Sequence, residues 1–350
     1  MVISLALIDN DKLYGKRLSV AYQEFFSQVE VRYFSNADMA LENIRYSPVD
    51  VLLVCESVYH EAKDRIKNAS CKVPIILANS KGIKEIDGID AVCKFQRVDH
   101  INQSVMTILA EKGGIGWNPE NDGSTRIVTF MAAAGGSGCS TAAAAYSCYL
   151  ASRGSKVLYL DLNAFGMPGM FFRDDGNYTM TDCIMALINQ KPNLGIQLKN
   201  FARKDSTGVY FYAAAVNSLD WFDMNDDTLL LLIDNVVKAG GYDTVVVDAC
   251  SGWNKVTSYL ADKSSSIYIT SEGTAVSNGK TARLWETATT YYRSQQKDNA
   301  KLGVIYCCYT NKSKKIQDET IRERGTLPFV EYKNAYELVR KLSNGKYWDI

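Results

Sequence analysis

Short apolar runs recur along the first 110 residues, each followed by a stretch whose apolar positions return every three or four residues. ISLALID, VEVRYF, VDVLLVC, VPIILAN and DAVCKF read as strands; KRLSVAYQEFF, ADMALENIRY and INQSVMTILAEK read as helices. Strands alternating with helices build a parallel sheet covered on both faces. From Lys112 the rhythm breaks into glycine, proline and polar residues, KGGIGWNPENDGST, which reads as a linker. A second, longer series follows: RIVTFMAA, the helix STAAAAYSCYLASRG, KVLYLDL, a long helical and loop region, GVYFYAAA, the helix NDDTLLLLIDNVVKAGG, YDTVVVDAC, SSIYIT, LGVIYCCYT and the final helix NAYELVRKLSNGK. The expectation is an α/β chain of two doubly wound parallel-sheet domains, residues 1–111 and 126–350, joined by a linker at 112–125.

Composition fits that division. A chain of 350 residues that is 47% hydrophobic and 22% charged can fill two cores. Lys plus Arg balances Asp plus Glu at 39 each, so no net field draws the molecule to nucleic acid or to an anionic membrane. Nine cysteines without a CxxC pair, and only two histidines (His60, His100), leave little for a zinc site and suit reduced thiols. The N-terminal MVISLALIDNDK lacks the flanks of a signal peptide, and no apolar run approaches the roughly eighteen residues of a membrane span. The expectation is a soluble, cytoplasmic protein.

The chemistry concentrates in MAAAGGSGCSTAAAA, between an expected strand and an expected alanine-rich helix. Gly135, Gly136 and Gly138 allow a tight turn and close approach to an anion, and the amides through Ser137, Cys139, Ser140 and Thr141 can point at it from a helix N-terminus. Ser140 stands where a hydroxyl would ligate Mg²⁺, but the loop contains no lysine. Asp161 and Asp248 each end an expected strand, where a doubly wound sheet collects its ligands. Either alone reads equally as a helix cap.

AAAGGSGCST, YLDLN, YDTVVVDAC and ADKSSSIYITSEGTAVSNGKTARL together resemble the deviant Walker A ATPases of the MinD and ParA superfamily, over roughly residues 125 to 345. The resemblance implies a P-loop NTPase fold, ATP sandwiched between two subunits, and Mg²⁺ held by Ser140 and, through water, by Asp248. It places the signature lysine at Ala134, the P-loop lysine at Cys139 and the water-orienting carboxylate at Asn163. It also places an adenine contact at Asn311, which reads equally as a turn asparagine. Three groups tied to hydrolysis are thus replaced while the cradle is retained.

The first domain resembles a response-regulator receiver of flavodoxin-like fold, on LALIDNDK, VDVLLVCES, VPIILANS and VCKFQ. The resemblance puts the acidic pair at Asp9 and Asn10, the phosphoacceptor at Cys55, the Thr/Ser position at Asn79 and the family lysine at Lys94. A thiol cannot form the acyl phosphate, so the domain is expected to be a pseudo-receiver. A degenerate receiver before a degenerate MinD-like domain resembles TadZ and CpaE proteins, which place the Tad (Flp) pilus machinery at a cell pole. The resemblance implies an ATP-binding homodimer and scaffold with slow or absent hydrolysis. It would lie near the inner face of the membrane at the pole, with Tad pilus proteins as partners, no specific nucleic acid, and membrane contact at most peripheral. The alternative is an active MinD/ParA-type ATPase that positions a cargo dynamically.

Three further segments are open to two readings. SLDWFDMNDD, Ser218 to Asp227, is either a partner-binding loop or a helix entry that buries Trp221 and Phe222. Lys312, Lys314 and Lys315 form a basic cluster that reads as a solvated face. YELVRKLSNGKYWDI offers an apolar face too short for stable membrane attachment and is expected to be a packed helix with a frayed tail.

Overall fold

A computed structural model describes residues 2–26, 28–113, 125–191, 193–249, 251–343 and 346–348, so most of the expected linker lies outside the described residues. The chain divides into two compact units, Met1–Asn118 with Lys191–Asn200, and Pro119–Gln190 with Phe201–Ile350.

The first unit runs β1 (Ile3–Ile8), α1 (Lys12–Phe25), β2 (Val29–Phe34), α2 (Ala37–Tyr46), β3 (Val49–Cys55), α3 (Glu56–Glu61), α4 (Lys63–Lys67), β4 (Cys71–Ala78), β5 (Glu85–Ile86), β6 (Ile89–Cys93) and α5 (Val98–Lys112). The strand order is β2-β1-β3-β4-β6-β5, parallel except for the short β5–β6 pair. Alternation along the strands sends residues to two cores. Leu5, Leu7, Val51, Leu53, Ile75 and Leu77 pack with residues of α1 and α5, while Ala6, Ile8, Leu52, Val54, Ile76 and Ala78 pack with residues of α2, α3 and α4. Both faces are covered, which is why these strands read as continuous apolar runs. Asp11 caps α1 by accepting from the amides of Leu13 and Tyr14, and this fixes the chain direction just after the acidic corner.

The second unit continues with β7 (Arg126–Ala132), α6 (Cys139–Ser152), β8 (Val157–Asp161) and α7 (Met180–Ile188). Helix α8 (Leu194–Phe201) comes next, and its residues through Asn200 belong to the first unit. There Lys191 Nζ lies 2.6 Å from the Glu111 carboxylate and Asn193 Nδ2 donates to the Ala110 carbonyl at 3.0 Å. The second unit resumes with β9 (Arg203–Lys204), β10 (Tyr210–Phe211), α9 (Asp226–Ala239), β11 (Thr244–Asp248), α10 (Lys255–Lys263), β12 (Ser266–Ser271), α11 (Ala275–Ser294), β13 (Leu302–Tyr309), β14 (Glu323–Pro328) and α12 (Ala335–Ser343). Its sheet is ordered β14-β13-β12-β7-β11-β8-β10-β9, and only β9 runs antiparallel to its neighbour. The chain leaves β7 toward β8 on one side and later reaches β12 on the other. The C-terminal end of β7 is therefore a topological switch point, the place where such sheets bind ligands.

Helix α6 is apolar around most of its circumference because it is covered twice. Ala142 to Ala145 are buried, and α12 packs on the helix from outside. Leu338, Val339 and Leu342 of α12 are buried in that contact, and Trp348 is 2% exposed against Phe130 and Tyr146, donating from Nε1 to the Leu342 carbonyl at 2.9 Å. The expected frayed tail is corrected here, since at Trp348 the chain is anchored in the core. At the entry of α9, open to two readings in the sequence, Phe222 is not buried. Ser218–Asp223 forms a short 3-10 turn that leaves Trp221 half-buried and Phe222 85% exposed, because Asn225 caps α9 and Asn217 caps the turn without folding the aromatic inward.

Candidate functional site

The segment from Ala134 to Gly138 turns sharply between β7 and α6. Gly136 and Gly138 have φ of 77° and 80°, in the left-handed region. At Gly135 and Gly136 an added Cβ meets nothing within 4 Å, so the backbone faces open space; at Gly138 it would lie 2.7 Å from Cys307 Cβ. Gly138 is the N-cap of α6 and supplies no side-chain cap; the first turn closes with the Ala142 amide donating to the Gly138 carbonyl at 2.8 Å. The amides ahead of Ala142 are left for a ligand. A buried hydrogen bond of 2.9 Å between the Ser137 and Thr270 hydroxyls pins the loop to β12.

The loop forms one wall of a cavity of about 480 Å³, within the range of small-molecule sites. Ala134, Gly135, Gly136, Ser137, Gly138, Cys139, Ser140 and Thr141 line it together with Asn163 and Asp248. The opposite wall is Cys307, Cys308, Leu327, Pro328, Phe329, Val330 and Tyr332, closed by Leu338 and Leu342 of α12. Sequence reasoning missed this second wall. Its residues come from the end of β13, from the polar edge strand β14 and from α12, and no short motif marks them.

Two expected contacts lie elsewhere. Asn311 sits on the exposed turn after β13 and does not line the cavity. Asp161 is buried behind Asn163, whose amide and Nδ2 donate to its Oδ1 at 3.0 and 2.7 Å, and beneath Gly166, where an added Cβ would fall 2.1 Å from Asp161 Oδ2. Asp161 therefore supports the site from below. Register explains why it meets Asp248: the two residues are direct partners on parallel β8 and β11.

Burial sets the electrostatics. It pushes the Asp248 carboxyl up, opposed by the polar groups of Ser140, Tyr159, Cys139 and Asn163 around it. The Tyr159 hydroxyl donates to Asp248 Oδ2 at 2.9 Å. Burial and the neighbouring Asp248 raise Asp161 to about 7. The Cys139 thiol is also pushed well up by burial, so it enters the site neutral.

In the first unit, Lys94 Nζ lies 2.7 Å from Asp9 Oδ2 with both side chains buried, and it sits 4.4 Å from the Tyr14 ring centroid. Cys55, buried at the end of β3, has its Sγ 3.6 Å from Asn10 Oδ1 and 3.3 Å from Ser57 Oγ. The Asn79 amide donates to the Glu56 carboxylate at 2.8 Å. Asp9, Asn10, Cys55 and Lys94 thus meet at one end of the sheet, where the resemblance to receivers places them. Residues 1–110 match the family described as TadZ-like, receiver domain. Residues 1–110 form a TadZ-like receiver domain.

The second unit, which follows in the chain, has the fold of a P-loop NTPase domain by its strand order and its β7–α6 loop. Solved structures similar to it include a ParA family ATPase from Chlorobium tepidum TLS (16% identity, 62% of this chain and 90% of that chain, TM-score 0.48). Another is the septum site-determining protein MinD from Pyrococcus horikoshii OT3 complexed with Mg-ADP (19%, 63% and 94%, 0.47). A third is a putative plasmid partition protein from Borrelia burgdorferi B31 bound to AMPPNP (15%, 65% and 92%, 0.42). No curated protein matches the chain in sequence. Among the described residues, no helix is long and apolar enough to cross a membrane.

Proposed function

We propose that the chain is an ATP-binding, dimerising scaffold that places Tad (Flp) pilus machinery at a cell pole from the cytoplasmic side, with hydrolysis weak or absent. The observation that carries this reading is the coincidence of a TadZ-like receiver whose acceptor is Cys55 with a glycine cradle in which Ala134, Cys139 and Asn163 face one cavity. The division we propose is residues 1–111, a linker at 112–125, and 126–350, with Lys191–Asn200 packed with the first unit.

The cradle suits a polyphosphate, since free amides, a helix N-terminus and glycines open to the cavity need no side chain to receive it. The donor set suits Mg²⁺, because the Ser140 hydroxyl and the Asp248 carboxylate are hard oxygen ligands that line the same cavity. Bound Mg²⁺ would offset phosphate charge. The described residues that line the cavity include no cation for the transferred phosphoryl, which by analogy with arginine fingers is worth roughly 10³ to 10⁵ in rate.

Homodimerisation is supported by exposed apolar side chains on the segments after β8 and β10: Phe165, Met167, Met170, Val216, Leu219 and Phe222. The alternative, an active ATPase that positions cargo dynamically, has no such support, because the three replaced groups all sit at the cavity. Nucleotide extraction from the purified protein, with particle size measured before and after stripping, tests the reading. Co-purifying adenine nucleotide and a dimer that loosens on stripping are expected. A protein that stays free of nucleotide and monomeric with Mg-ATP would overturn it.

A further inference from the structure

Resting on the nucleotide reading above, we infer that this site holds nucleoside polyphosphate only as its complex with a divalent cation, because the cavity supplies no positive side chain of its own. Among the described residues that line it there is no Lys, Arg or His, and the single charged group is the Asp248 carboxylate. A triphosphate brings about four negative charges to that wall at neutral pH, while the α6 N-terminus offers only about half a positive charge. Cys139, at the first position of α6, brings a thiol and no cation. Ala134 contributes a methyl group.

The remaining polar lining, Ser137, Ser140, Thr141, Asn163 and Ser251, can bond phosphate oxygens but cannot neutralise them. A metal-free polyphosphate would therefore face a buried carboxylate with no compensating charge, a pairing that low-polarity surroundings penalise heavily. A divalent ion held by the Ser140 and Asp248 oxygens would supply the positive charge that the lining lacks. Cations on the loop would share that task with the metal; here the metal becomes the gate for occupancy.

The test is calorimetric titration of the full chain with ATP, once with excess Mg²⁺ and once with EDTA, on the parent, Cys139→Lys and Cys139→Met. For the parent, chelation is expected to weaken binding by about a hundredfold or more, the size typical of an uncompensated buried charge. Cys139→Lys should reduce that penalty to less than about tenfold by placing an ammonium beside the phosphates. Cys139→Met, of similar bulk but neutral, should keep the parent's dependence. Parent binding that is equal with and without Mg²⁺ overturns the inference even if Cys139→Lys fails to fold. Failure of the parent to bind ATP in either condition overturns the nucleotide reading itself, and this inference with it.

Discussion

Asp161 and Asp248 occupy the same rung of adjacent parallel strands, and neither is paired with a cationic side chain among the described residues. Asn163 ties them together from above, donating from Nδ2 to Asp161 Oδ1 at 2.7 Å and to the Asp248 carbonyl at 3.4 Å. Two carboxyls buried side by side cannot both ionise cheaply, so the pair retains a proton at pH values where an exposed aspartate has lost its own.

That retained proton gives a pH signature. Asp161 rises from its ordinary 3.8 to about 7 in the folded chain. Its contribution to stability is therefore fully present below the unfolded value and is lost as pH rises through the folded one. Asp161→Asn keeps an oxygen acceptor for Asn163 and removes the titration. Between pH 4 and pH 8 the metal-free parent should lose about 2–4 kcal/mol relative to this variant. Urea denaturation at the two pH values checks it; parallel curves would show that the pair is not proton-linked.

The loop glycines should separate by cause. Gly136→Ala meets only backbone strain, because its φ is positive but the space is open, and should cost about 1–2 kcal/mol. Gly138→Ala meets the same strain and also a contact of 2.7 Å with Cys307 Cβ. It should lower the melting temperature measurably more. Adding Cys307→Gly to Gly138→Ala should recover part of the difference, which calorimetric melting curves can resolve.

In the receiver, Lys94 and Asp9 form an ion pair with both side chains buried. Lys94→Met leaves Asp9 uncompensated and should destabilise the first unit by about 3–5 kcal/mol. Incubation of the parent with acetyl phosphate and Mg²⁺ should yield no phosphorylation, since Cys55 offers a thiol where an acyl phosphate needs a carboxylate. Mass spectrometry of the intact chain reads this directly, and a stoichiometric gain of one phosphoryl on this unit would contradict it.

Much of this was legible in the sequence wherever burial is two-sided. Runs such as VDVLLVC and YDTVVVDAC announce central strands because both faces are covered, and the glycine spacing announces the turn before α6. The edge of the sheet was not legible. ERGTLP forms β14 with most of its residues exposed or half-buried and with register shifts against β13, so no period of two survives. Since β14 leads into Phe329, Val330 and Tyr332, missing the strand meant missing half of the cavity. Asp161 misled in a different way: a strand-end carboxylate marks the right end of the sheet, but only the packing of Asn163 and Gly166 decides whether it reaches the cavity.

The C-terminal helix belongs to the site, since Leu338 and Leu342 line the cavity while Trp348 locks the chain onto α6. Trp348→Ala removes a buried indole and its hydrogen bond, and should cost about 3–5 kcal/mol while loosening that cavity wall. With its apolar face already used, α12 should not carry the folded chain onto lipid. Co-sedimentation with anionic vesicles should therefore be negligible in the parent, and appear, if at all, only in the destabilised variant.

The last prediction concerns catalysis, and it depends on the order in which groups are restored. Ala134, Cys139 and Asn163 all face the cavity, so each can be altered where the chemistry would occur. Asn163→Asp alone should fail: it removes the Nδ2 donor to Asp161 and sets a third carboxylate beside a pair that already keeps a proton. Lower stability and no gain in turnover are expected. Cys139→Lys introduces the compensating ammonium, and Ala134→Lys supplies the second cation to the loop. In the triple variant the new aspartate is therefore neutralised and free to orient water, and single-turnover hydrolysis should rise at least about tenfold over the parent, part of what a positioned cation contributes at a phosphoryl centre. Direct ATP affinity measured beside the rate separates binding from chemistry. A parent already hydrolysing as fast as the triple variant would remove the case for a scaffold whose nucleotide serves as a structural ligand.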